Sequence, residues 1–82
     1  MASFPLKDLV LSYDLEADVL YGTFGKPQKD IGFDTDEEVV VHVDPRDESR
    51  VVGFTIPNFR YRAARGAEFT IPLEPAHVRA LI

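Results

Sequence analysis

Residues 39–56 read V-V-V-H-V-D-P-R-D-E-S-R-V-V-G-F-T-I, two β-branched runs separated by a charged segment that contains a proline. Short β-branched runs bounded by turn residues are typical of a β-hairpin. Pro45 fixes φ and removes a backbone donor. The pattern therefore predicts strands at 38–43 and 50–56 that are joined by a turn over residues 44–49.

A second hairpin is predicted upstream. Residues 9–13 carry apolar side chains at alternate positions on one face, and residues 19–24 are rich in β-branched and aromatic residues. Residues 14–18 between them contain two aspartates that can bond nearby backbone amides. Residues 29–33 resemble a short edge strand, and residues 34–38 form an acidic loop. We expect the two hairpins to form one sheet over residues 9–57.

The tail, residues 58–82, is expected to cover this sheet. Asn58 can cap a short helix over 59–65 that stops at Gly66, although a loop is an equal alternative. Residues 67–73 resemble a further strand, and a last helix opens at Pro75. The expected fold is α+β, a small antiparallel β-meander of four to five strands with a short C-terminal helix packed on it. Residues 1–82 are treated as one domain, because 82 residues are too few for two.

Composition excludes several classes of function. The chain has no cysteine, so disulfides, thiol catalysis and cysteine metal sites are excluded, and a cytoplasmic location is expected. Nine basic against fourteen acidic side chains give a net charge of −5, which disfavours nucleic acid. We expect no signal peptide and no membrane span, since the apolar runs are only a few residues long.

The first hairpin carries a string that resembles a known family. Residues 13–21, Y-D-L-E-A-D-V-L-Y, are similar to the Y-D-x-x-A-D-x-L-Y signature of the small, mostly bacterial domain of unknown function 2283. Residues 39–44 and 50–56 resemble its second hairpin. The chain departs from the family at 47–49, where a glycine is usual, and at Thr55, where glutamate is common. The resemblance implies a β-meander with a helical tail and no assigned activity, and some members resemble partners of toxin–antitoxin pairs.

The signature residues have a structural interpretation. Asp14 and Asp18 bracket the turn, where their carboxylates can accept backbone amides, and Ala17 fits a tight corner. Tyr13 and Tyr21 come from neighbouring strands and are expected to form a cross-strand aromatic pair.

The tail contains the candidate partner-binding residues. Three arginines surround a tyrosine in this segment, and guanidinium groups can bind phosphates or carboxylates through bidentate hydrogen bonds. The four residues are Arg60, Tyr61, Arg62 and Arg65. The alternative is that these arginines bind acidic side chains of residues 1–59 of the same chain.

No catalytic or metal-binding motif is predicted, and no cofactor is expected. The acidic residues at 14, 16 and 18 lack the glycine and glutamate that a calcium loop needs further along. The separation of His42 and His77 along the chain does not match the spacing of ligands in a metal-binding motif.

Two functions follow. The preferred hypothesis is a non-enzymatic interaction module that self-associates, expected as a dimer. A refinement is an antitoxin-like role for this chain, in which it binds a basic protein partner. The alternative is a small enzyme with an interface pocket in which His42 or His77 lies within hydrogen-bond reach of a carboxylate.

Overall fold

The computed structural model describes residues 8–35 and 37–72. Its elements are five strands and one helix: β1 (Leu9–Asp14), β2 (Val19–Phe24), β3 (Ile31–Asp34), β4 (Val40–Asp44), β5 (Asp47–Pro57) and α1 (Phe59–Ala63). The strands form one antiparallel sheet in the order β1-β2-β5-β4-β3. The predicted α+β class is confirmed.

The sheet is meander-like, with one crossing. Consecutive strands pair in the β1–β2, β3–β4 and β4–β5 hairpins, whereas the β2–β3 connection crosses to the far edge of the sheet. β5 therefore pairs with β2 on one side and β4 on the other, which makes it the central strand.

The β4–β5 turn is shorter than the predicted turn over 44–49. The Asp44 carboxylate accepts the backbone N–H of Arg46 at 2.8 Å, so the chain reverses over Pro45 and Arg46, and β5 already begins at Asp47. The same N–H holds the pKa of Asp44 below its usual range. Register shifts around Val43 absorb the extra residues as a bulge.

The core lies on one face of the sheet. Alternation places Val41, Phe54 and Ile56 on this face, where all three are buried. The central cluster of the core consists of Val39, Phe54 and Ile56. Five partly buried side chains pack against it, the last three of them from the tail: Leu20, Phe24, Phe59, Phe69 and Ile71.

The tail differs from the prediction in two respects. Residues 67–72 form no strand, and Phe69 and Ile71 instead pack on the core without backbone pairing. Asn58 makes no side-chain cap and adopts a left-handed φ of 53°. The helix is present, ends at Ala63 and is followed by Gly66 at φ 78°. Leu73 and the predicted last helix, including His77, lie outside the described residues.

No described helix is long and apolar enough to cross a membrane.

Candidate functional site

The first hairpin turn holds the start of α1. The Asp18 carboxylate accepts the backbone N–H of Arg60 at 2.7 Å and of Tyr61 at 3.2 Å, and the Asp18 carbonyl accepts that of Phe59 at 3.1 Å. These are N–H groups that a helix start leaves without intrahelical partners. Asp18 therefore caps the start of α1, the role that was predicted for Asn58. Asp18 lies 40 positions upstream of Asn58 in the chain.

Tyr13 completes this arrangement. Its hydroxyl donates to Asp18 Oδ1 at 2.6 Å, and its ring packs edge-on against Phe59 at 6.0 Å. The hydrogen bond from Tyr13, with those from the helix amides, holds the pKa of Asp18 below its usual range. The bond to Asp18 raises the pKa of Tyr13.

The expected pair of Tyr13 with Tyr21 is wrong. Tyr13 lies opposite Leu20, and Tyr21 lies opposite Ser12, so the two tyrosines point to opposite faces of the sheet. Asp14 acts as expected within the turn, where its carboxylate accepts the N–H of Ala17 at 3.1 Å.

The four candidate residues of the tail divide into internal and surface groups. Arg62 donates to the backbone carbonyls of Glu37, Glu38 and Pro57 at 2.8–3.1 Å, and its guanidinium lies over the Phe69 ring. Its partners are carbonyl oxygens rather than acidic side chains.

The surface group is centred on a stack of two side chains. The guanidinium of Arg65 lies 3.6 Å from the centre of the Tyr61 ring, and Tyr61 is exposed. Arg60 is also exposed. A partner-binding role for these residues stays a prediction.

The opposite face of the sheet carries a cleft of about 190 Å³. Strands β2, β4 and β5 contribute Tyr21, Thr23, His42 and Thr55, and the β2–β3 connection contributes Gln28 and Asp30. The strand register explains why these side chains lie on one face. Tyr21 is paired with Thr55, His42 is paired with Gly53, and residues 53 and 55 are on the same face of β5.

A chain of hydrogen bonds crosses this cleft. Asp30 Oδ1 lies 2.9 Å from His42 Nδ1, and His42 Nε2 lies 2.7 Å from Thr55 Oγ1. The imidazole is half-buried, and glycines are paired with it on both neighbouring strands, Gly32 in β3 and Gly53 in β5. The side chain therefore lies between a carboxylate and a hydroxyl.

His42 lies on the polar face of the sheet, and both of its hydrogen-bond partners, Asp30 and Thr55, belong to the same chain. Its partners could not be read from the sequence. Asp30 lies within residues 29–33, which were predicted as a short edge strand, and nothing there marks it as a partner of His42. Thr55 is thirteen residues from His42. The only available signal was the alternation of side chains between the two faces of a sheet, which allows a histidine and a threonine on paired central strands to share one face.

Among residues 8–35 and 37–72, no group of three or more histidine and acidic side chains could hold a metal ion. Of the acidic loop predicted over 34–38, Asp34 is instead the last residue of β3, and Asp34, Glu37 and Glu38 are all exposed. Asp36 lies outside the described residues.

Comparison with known proteins adds no identity, since no family model, no curated protein and no solved structure matches the chain. The resemblance to domain of unknown function 2283 stays a prediction.

Proposed function

We propose that this protein is an interaction module that self-associates through β1 as a symmetric dimer. The observation that carries the proposal is the outer edge of β1. Within the described residues, no strand pairs with this edge. All six residues of β1 are exposed.

The backbone of β1 offers hydrogen bonds to a further strand. Asp8 accepts the N–H of Gly25 at 2.8 Å, which continues the β1–β2 register by one residue. In an antiparallel pair, residues that bond to the neighbouring strand alternate with residues that do not. Leu9, Leu11 and Tyr13 therefore turn their N–H and C=O groups away from β2, toward the open edge.

The side chains of this edge favour a second copy of the same chain. Leu9, Val10 and Leu11 are exposed by 47–57%. Residues 9–13, L-V-L-S-Y, carry no charge, so two copies can approach despite a net charge of −5 each. Natural edge strands are usually protected by lysine, proline or a bulge, and none occurs in residues 9–13.

Symmetry defines the pairing. A two-fold axis perpendicular to the sheet at Leu11 pairs Leu11 with its own copy and Leu9 with Tyr13 of the second copy. The outward groups of these residues then form about six hydrogen bonds. The two core faces lie on the same side and join into one ten-stranded sheet, which buries the exposed leucines.

Substitutions at Leu11 and Leu15 test the side-chain contribution. We expect the unmodified protein to have a dimeric mass in light scattering at about 100 μM, since one edge pairing is among the smaller and weaker interfaces. Leu11→Lys places a charge at the two-fold axis and is expected to give a monomer. Leu15→Lys, a substitution of an exposed leucine in the adjacent turn, should remain dimeric.

Proline substitutions test the backbone contribution. Leu11→Pro removes only an outward N–H, so it should abolish dimerisation while the far-ultraviolet circular dichroism is kept. Val10→Pro removes an N–H that bonds to β2 and should destabilise the hairpin. A monomeric mass for the unmodified protein, or a dimer that survives both Leu11 substitutions, would refute the proposal.

We extend the proposal to the cytoplasm, because an oxidising compartment usually stabilises so small a domain with disulfides and this chain has no cysteine.

A further inference from the structure

The geometry points to a second property of this chain, a catalytic site for ester hydrolysis in the cleft on the polar face, with Thr55 as nucleophile, His42 as general base and Asp30 as positioning residue. The site is independent of the proposed dimer, since it lies on β2, β4, β5 and the β2–β3 connection rather than on β1.

Proton positions follow from the chemistry of the three groups. An ionised carboxylate only accepts hydrogen bonds, so Nδ1 of neutral His42 carries the proton that Asp30 accepts. Nε2 then carries a lone pair, and the Thr55 hydroxyl donates to it at 2.7 Å. This is the protonation pattern in which an imidazole removes the proton of a hydroxyl nucleophile.

Three separate elements hold the chain of hydrogen bonds in place. His42 and Thr55 are on paired strands in the middle of the sheet, where the backbone ladder fixes both. Asp30 immediately precedes β3 and approaches from the far side of the imidazole. Sites built on strands are positioned more precisely than sites built on loops alone.

The cleft has room and a donor for the developing charge. Its volume of about 190 Å³ exceeds that of a small acyl group. Among the described residues that line it, Gln28 supplies the only side-chain amide. An amide N–H is a donor that can stabilise the oxyanion of a tetrahedral intermediate.

The reaction balances without a cofactor. Thr55 Oγ1 forms a bond to the ester carbonyl carbon as His42 Nε2 takes the hydroxyl proton. The carbon–oxygen bond to the alcohol breaks, and Nε2 returns the proton to the leaving oxygen. Water then attacks the acyl-threonine, His42 takes one proton from that water, and Thr55 Oγ1 recovers it as the carboxylic acid leaves.

The experiment uses p-nitrophenyl acetate with the full 82-residue chain. Release of p-nitrophenol gives the rate, and intact mass followed by peptide mapping locates the acetyl group. We expect the acetyl group on Thr55. Thr55→Val keeps the branched shape without the hydroxyl and should lose the adduct, whereas Thr55→Ser should retain it. His42→Gln should slow acylation by about 100-fold.

Matched controls separate this site from ordinary surface chemistry. Thr70→Ala removes an exposed hydroxyl outside the cleft, and His77→Ala removes the other imidazole of the chain. Both should keep the rate and the adduct. The proposal is overturned if no acetyl group forms on Thr55, or if His77→Ala slows the reaction as much as His42→Gln does.

Asp30 has its own test. Asp30→Asn should slow acylation and remove the downfield proton resonance of the His42 Nδ1–H group, with the acetyl group still on Thr55. An unchanged rate with an unchanged resonance would overturn the positioning role. Circular dichroism checks that each variant is folded. If Thr55→Val is unfolded, the catalytic site is tested by the acetyl adduct of Thr55→Ser and by the acylation rate of His42→Gln.

Discussion

Strands β1 and β5 belong to the same sheet and both contain alternating apolar side chains, yet only β5 contains buried residues. All of β1 is exposed, whereas Val52, Phe54 and Ile56 of β5 are 2–5% exposed. The difference comes from their neighbours. β5 has a strand on each side and the tail packed on its core face, whereas β1 pairs only with β2 within the described residues. Apolar alternation thus defines a face, and position in the sheet decides how deeply that face is buried.

The largest expected effect is loss of a central side chain. Phe54 packs at the core and contacts the Phe24 ring edge-on. Phe54→Ala should lower the free energy of unfolding by about 3–5 kcal/mol. For the monomer, Leu11→Ala in β1 should lower the free energy of unfolding by less than about 1 kcal/mol, because the side chain is exposed there. Urea denaturation measures both, and equal losses would contradict the contrast between the two strands.

A second effect concerns glycines. A Cβ at Gly53 would lie 2.5 Å from the backbone oxygen of Gly22, which cannot move without opening the β2–β5 ladder. Gly53→Ala should therefore destabilise the protein by about 1–3 kcal/mol. In edge strand β3, a Cβ at Gly32 would meet a Val40 side-chain carbon at 3.0 Å. Gly32→Ala should cost less than about 1 kcal/mol, and the reverse ranking in urea would contradict this.

A third effect concerns the arginines that were treated as equivalent from sequence. Arg62 bonds three carbonyl oxygens and links α1 to residues 37–38 and to the end of β5. Arg62→Met should cost about 1–2 kcal/mol, because these bonds are charge-assisted and the apolar stem is kept. Arg65→Met should change stability by less than about 0.5 kcal/mol. Thermal unfolding of the two variants under one condition is the direct comparison.

The smallest expected effect is a pH dependence from Asp18. Its pKa is lowered in the folded state by Tyr13 and the helix amides, so its stabilising contribution is present above the unfolded pKa of about 3.9 and lost as the pH falls through the folded pKa. Asp18→Asn keeps a residue that tolerates the observed φ of 57° and removes the charge.

The difference in stability between the unmodified protein and Asp18→Asn should be constant above about pH 5 and shrink below about pH 4. Other acidic groups, such as Asp44, are present in both proteins and cancel in this difference. A difference that does not change with pH would show that the charge of Asp18 contributes nothing to the cap.

Much of the fold follows from local pattern. Both hairpins, the turn at 14–18, the edge strand near 31–33 and the end of the helix before Gly66 were predictable, because alternation and turn residues act over a few positions. The predicted strand at 67–73 failed over its described residues, since an apolar alternation there packs on the core without finding a strand to pair with. The predicted tyrosine pair failed because it depended on register, and a shift of one residue reverses the face.

The candidate sites were less predictable than the elements that carry them. Asp18 was expected to serve its own turn, and its helix-capping role depends on where the chain returns after β5. Arg62 and Arg65 are alike in sequence, but only Arg62 faces carbonyl oxygens of another segment. Asp30, His42 and Thr55 come from three elements, so no spacing along the chain marks them.

By itself, the sequence determined the class of fold, the two hairpins and the lack of cysteine chemistry, because composition and periodicity are properties of the chain alone. The tertiary structure decided the strand order and the central position of β5. It also decided the exposure of the β1 edge and the approach of Asp30 to His42. These features depend on contacts between residues far apart in the chain, and such contacts form only when the whole sheet is assembled.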